Sequence, residues 1–306
     1  MKNKKNIFMY MLVAVSFFAS CKKKTAEEEN QTTVAEPRLI FKFKFDSTQI
    51  RLNNGGGVSN LPSNHRAQSP RMNKMSAHYI ELAQNDLTAL GAGKILFHAP
   101  ETTLGGSTAI DFNQSVRVGD GQEFFSVPLK NIGAGVYKWL RVSLAYQNYD
   151  IVFKDSNIPG NQFATGTIAS FVGYNTYIAN YAIKNQTQTV NANKLQGFWG
   201  FETQILGQTF VQTGQAASTT VVNPNSQNSP ILAGSCVVTA QFVKPGGLAS
   251  QLVIVGNETQ DIVVTVSLSI NNSFEWLETN NDTYFEPSAG DQVVDMGIRG
   301  MIPYWQ

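Results

Sequence analysis

The chain has 306 residues, of which 15% are charged, with a net charge of +1 and only two cysteines. That length fits one large domain or two small ones. The sparse, balanced charge excludes the basic stripe of a nucleic-acid-binding surface and any strong field for a charged partner.

Lys2, Lys4 and Lys5 precede an apolar run over residues 7–18, interrupted only by Ser16, and Ala19 and Ser20 stand directly before Cys21. A basic start, an apolar middle and a small-residue cut site are the layout of an export signal. The run is shorter than the about 20 residues that a membrane span requires, so residues 1–20 are expected to be removed. Residues 21–37 carry Lys22, Lys23, Lys24, Glu27, Glu28 and Glu29 with no apolar periodicity. Such a stretch cannot offset its own chain entropy and is expected to be a disordered tether to a folded body over residues 38–306.

Phe18, Ala19, Ser20 and Cys21 resemble the lipobox of bacterial lipoproteins, in the aromatic and serine variant of Bacteroidetes-type signals. The resemblance implies acyl chains such as palmitate on Cys21, a membrane as partner through that anchor, and an outer-membrane address with the periplasmic or surface face left open. Each buried methylene contributes about 0.8 kcal/mol, and two or more chains hold stably. With Cys21 acylated, Cys236 has no disulfide partner. Its strand-like setting, Ser235 to Thr239, marks it as a small buried hydrophobe.

In the body, Phe41, Phe43 and Phe45 alternate with Lys42 and Lys44. Period two with aromatics on one side predicts a half-buried strand. Similar runs recur at residues 77–82, 94–98, 124–129, 136–146, 196–205, 236–243, 252–255 and 261–270, with Gly- and Asn-rich turns between them. The pattern predicts an all-β fold, a predominantly antiparallel β-sandwich built as one large or two fused sheet packages. Residues 59–75, rich in Ser, Asn, Pro and Arg, are expected to be a long loop. Residues 165–184 are expected to be strands joined as a hairpin at Gly173, and residues 293–306 to close a sheet.

The opening strand with Asp46, the run Ser76-Ala77-His78-Tyr79-Ile80-Glu81-Leu82, and the step from Val127-Pro128-Leu129 to Gly135-Val136-Tyr137 together resemble the MbnP-like domain of envelope lipoproteins. The resemblance covers the first half of the body and implies a β-sandwich associated with copper. It places no ligand residue by residue.

From the residues themselves, a metal site would draw on His65, Met72, Met75, His78 and His98, since methionine and histidine suit copper. Copper is the one cofactor this sequence suggests. Phe198, Trp199 and Phe201 beside Glu202 read as an aromatic core strand or as a platform for a sugar ring or peptide. Glu275, Glu278, Asp282, Glu286, Asp291 and Asp295 gather late in the chain without the frame of a calcium loop. The hydrolase, zinc-protease, phosphate-loop and redox motifs do not occur, although paired glycosidase carboxylates need no motif. The reading is therefore a membrane-anchored cell-envelope lipoprotein with a non-catalytic binding or structural role, its partner an envelope protein or a glycan. A copper-binding protein and a carbohydrate-binding or adhesive module are the alternatives.

Overall fold

Alternating apolar residues along most of the body pair into sheets in the computed structural model, which describes residues 36–53, 55–160, 162–216, 228–244 and 247–306. The first strands in chain order are β1 (Arg38–Asp46), β2 (His65–Gln68), β3 (Arg71–Ala83), β4 (Lys94–His98), β5 (Glu101–Thr102), β6 (Ala109–Asp111), β7 (Glu123–Pro128), β8 (Gly135–Tyr137), β9 (Trp139–Lys154) and β10 (Phe163–Phe171). They continue as β11 (Asn175–Ala182), β12 (Thr187–Leu195), β13 (Phe198–Ile205), β14 (Gln208–Gln215), β15 (Cys236–Gln241), β16 (Leu252–Ile254), β17 (Ile262–Ser269), β18 (Phe274–Leu277), β19 (Gln292–Asp295) and β20 (Met301–Trp305). Among the described residues, helical structure is confined to single turns at Leu129–Ile132, Phe112–Gln114 and Pro287–Ala289. The all-β expectation is met. No helix of the described residues is long and apolar enough to cross a membrane.

Two sheets face each other across the main core. The smaller has the order β20-β17-β1-β7, with β1 and β17 parallel. The larger has the order β14-β13-β10-β9-β3-β4. Strand β9 is long enough to serve two neighbours on one edge, β15 along residues 139–144 and β10 along residues 146–154. Phe41 and Phe43 from β1, Val264, Val266 and Leu268 from β17, and Ile80, Leu82, Leu140 and Val142 from the larger sheet fill the space between. Burying each such side chain contributes about 1.5–3 kcal/mol, which makes this layer the main support of the fold.

Two smaller sheets accompany it, β12-β11-β6-β5 and β19-β18-β2, with β16 paired to β8. Two expectations fail here. Residues 59–75 are not one loop, because His65–Gln68 pairs with β18 and β3 begins at Arg71. Residues 165–184 do form strands, but no hairpin: β10 pairs with β9 and β13, while β11 crosses to pair with β12 and β6. The C-terminal stretch supplies β19 to one sheet and β20 to another.

Candidate functional site: a histidine–glutamate corner

Strand β3 carries the site because its register slips. Ala77 pairs with Leu144 and Tyr79 with Ser143, which leaves His78 as an extra residue between them. Bulges of this kind re-aim side chains. Met75, Ala77, Ile80 and Leu82 all face the main core, while Tyr79 packs on the far side with Ile231 and Val237. His78 is fully buried, with its ring edge-on to Tyr79 and stacked on Tyr174.

The partner strand brings the second imidazole. Tyr79 lies opposite His98, the last residue of β4, and their rings stack at 4.3 Å and 12°. The Ala99 N–H donates to the His78 carbonyl at 2.8 Å, and the Asp111 N–H to the Pro100 carbonyl at 2.9 Å. These bonds fix the path by which the chain leaves the large sheet and enters β5, and they set Glu101 at the corner. Its Oε1 lies 3.0 Å from His78 Nε2 and 3.3 Å from His98 Nε2. The Tyr174 hydroxyl donates to the same oxygen at 3.4 Å. Ligand atoms of His78, His98 and Glu101 all fall within 4.8 Å of one another. The His98 side chain is 44% exposed, so the corner is open on that side.

Two of the three groups are shifted in the direction that metal binding favours. Burial pushes His78 below its ordinary value, against the pull of Glu101. The hydrogen bond from His78 holds Glu101 below the usual carboxylate range, with burial opposing and His98 assisting. A neutral imidazole beside an ionised carboxylate is the state that metal ions require. Burial, with Glu101 second, pushes Tyr79 up to about 12 and Tyr174 higher still, so both remain phenols. Two nitrogens and one oxygen, with an open side, suit zinc or another divalent transition ion; soft thioether ligands would be needed to favour copper(I).

The structure divides the sequence candidates. His98 and His78 meet. His65 is engaged elsewhere, its Nδ1 2.5 Å from Glu275 Oε1. Met75 is fully buried in the main core, and Met72 packs against the main core and the Tyr149–Trp276 cluster. Glu101 was missed, although His98 and Glu101 are only three residues apart. The signal was that spacing beside Pro100, which ends the pairing and turns both side chains to one corner.

The aromatic run divides as well. Along β13, Phe198 and Glu202 are buried on one side, with Phe198 packed among Phe171 and Tyr181. Glu202 accepts the backbone N–H groups of Lys184, Asn185 and Gln186 at 2.9–3.1 Å, closing the β11–β12 turn. Trp199 and Phe201 point the other way and line a cavity of about 590 Å³. A single platform of four residues therefore does not form. The late carboxylates are also dispersed: Glu275 binds Arg51 and Arg299, Asp282 and Glu286 bind Lys154, and Asp291 accepts from Thr279. Cys236 lies on the cavity wall, where burial and then the Asp295 charge push its thiol up to about 12.

Comparison of the chain with models of known protein families, with curated proteins and with solved structures finds no match.

Proposed function

We propose that this chain is a non-catalytic binding protein of the bacterial envelope whose ligand is a divalent transition-metal ion, held by His78, His98 and Glu101. The observation that carries the reading is the convergence of two imidazole nitrogens on one carboxylate oxygen, at 3.0 and 3.3 Å. Such an ion would sit between the three side chains and neutralise the carboxylate in the half-buried corner. Tyr174, already donating to Glu101, would orient that ligand from behind. Zinc and copper(II) both fit the donor set; the Met72 and Met75 thioethers are not part of it.

The envelope address rests on the lipoprotein-like sequence around Cys21, which lies outside the described residues. The MbnP-like phrases support the same reading, because the strand that carries His78 is one of them.

The test is metal analysis and calorimetric titration of the full chain, purified in detergent without chelator, with Zn2+ and Cu2+ offered separately. One ion per chain is expected, with at least a 100-fold loss of affinity in His98→Ala and Glu101→Gln, in line with removal of one ligand of three. Both sites are partly exposed, so the variants should keep the parent melting temperature. A wild type that takes up no stoichiometric metal would end the proposal, as would variants that bind as tightly as wild type.

A further inference from the structure

The second feature is the cavity, which is independent of the metal corner. It is lined by residues of β9, β10, β13 and β15 of the large sheet, by Phe274 of β18 and by the segment that follows it. Its volume of about 590 Å³ lies in the range of small-molecule sites, about 300–1,000 Å³. Ile151, Ile168, Phe274, Phe285, Trp199 and Phe201 supply apolar surface to its lining.

Glycines make room for both rings. A Cβ at Gly214, paired across the ladder from Trp199, would lie 2.4 Å from the indole Cζ2. One at Gly166 would lie 2.0 Å from Cε2 of Phe201. The two rings therefore lie over bare backbone of the neighbouring strands and complete an apolar wall, instead of being propped upright by neighbouring side chains.

The charges around the cavity are already matched. Arg299 donates to Asp295 at 2.7 Å and to Glu275 at 2.9 Å. One Asp291 oxygen accepts from the Thr279 N–H and hydroxyl, the other from the Glu286 N–H at 2.8 Å. The Gln147 side-chain amide donates to the Met296 carbonyl. Among the described residues an ionic ligand would meet no free counter-charge, and burying its charge unpaired is costly. Ser170, Gln196 and Gln212 add polar groups to an otherwise largely apolar lining.

We infer that this cavity binds an uncharged, largely apolar small molecule, of the isoprenoid or neutral-lipid kind, against the Trp199 and Phe201 rings. The probe is N-phenyl-1-naphthylamine, a neutral aromatic dye, titrated into the full chain carrying Cys21→Ala, so that no attached acyl chain competes. Saturable one-to-one fluorescence is expected, with quenching of tryptophan emission that Trp199→Phe removes. Farnesol should displace the dye at concentrations at least tenfold below those needed for palmitate, whose carboxylate is ionised. Val294→Trp, at the partly exposed rim, should fill the space and abolish binding without lowering the melting temperature. Absence of saturable binding, equal displacement by palmitate, or full binding by Val294→Trp would each overturn the inference.

Discussion

Three consecutive backbone N–H groups converge on the Glu202 carboxylate, so this acid serves the β11–β12 turn and is not available to a ligand. Hydrogen bonds to a charged acceptor are about twice as strong as neutral ones. Glu202→Ala should therefore cost about 2 kcal/mol, which for a domain of this size lowers the melting temperature by several degrees. Glu202→Gln keeps one acceptor oxygen and should lose less. Thermal melts of the two variants check this; a Glu202→Ala protein as stable as the parent would return the residue to the candidates for ligand binding. The contrast with Glu101 is instructive. Both are acids on strands, but Glu202 is surrounded by backbone donors and Glu101 by two imidazoles and a phenol. Residue type and neighbours in sequence do not separate them; what folds against them does.

At the scale of the strand, the bulge at His78 is the informative feature. Were His78 absent, Ala77 opposite Leu144 would be followed directly by Tyr79 opposite Ser143, and every later pair of β3 and β9 would keep its register. The main-core face of Met75, Ala77, Ile80 and Leu82 would be unchanged. The ladder itself therefore has no need of His78. Deleting it should leave a folded protein, weakened by about 1 kcal/mol through the lost bond from the Ala99 N–H, and should abolish metal binding. Circular dichroism with a zinc titration tests both halves, and a deletion variant that cannot fold would show that the bulge is structural. Strands such as β1 and β17 were legible in sequence because one side of each is apolar. The bulge was not, since Ala77, His78, Tyr79 and Ile80 fit either parity until the partner strand is known. Strand β2 was hidden for a different reason: all four of its residues are half-buried, and none is strongly apolar. The false hairpin at Gly173 arose because strand character is local, whereas the choice of partner depends on distant chain; β11 found β6 and β12 instead of β10.

For the molecule as a whole, buried carboxylates tie together segments that are far apart in sequence. Glu275 on β18 accepts from Arg51 and Arg299, both at 2.9 Å, and lies beside His65. Burial opposes its ionisation, but the bonds from His65 and Arg51 and the charge of Arg299 outweigh it and hold the carboxyl below its ordinary 4.5. Asp150 behaves alike: burial opposes, while Thr167, Arg71 and Asn73 bring it below 3.8. Lys44 and then Thr48 hold Asp46 well under the same value. A group whose folded value is depressed adds stability that is complete above its unfolded value and is lost as pH falls through the folded one. The melting temperature should therefore be level from neutral pH down to about pH 5 and fall steeply below about pH 4. Glu275→Gln leaves the buried Arg51 guanidinium without its counter-charge and takes one of two from Arg299, and should cost about 3 kcal/mol at neutral pH. Because the carboxylate that would titrate is gone, the acid decline in that variant should be shallower than in the parent. A parent whose stability stayed level to pH 3, or a variant with the same acid slope, would show that these ion groups are not what joins the β2–β18–β19 sheet to the rest of the fold.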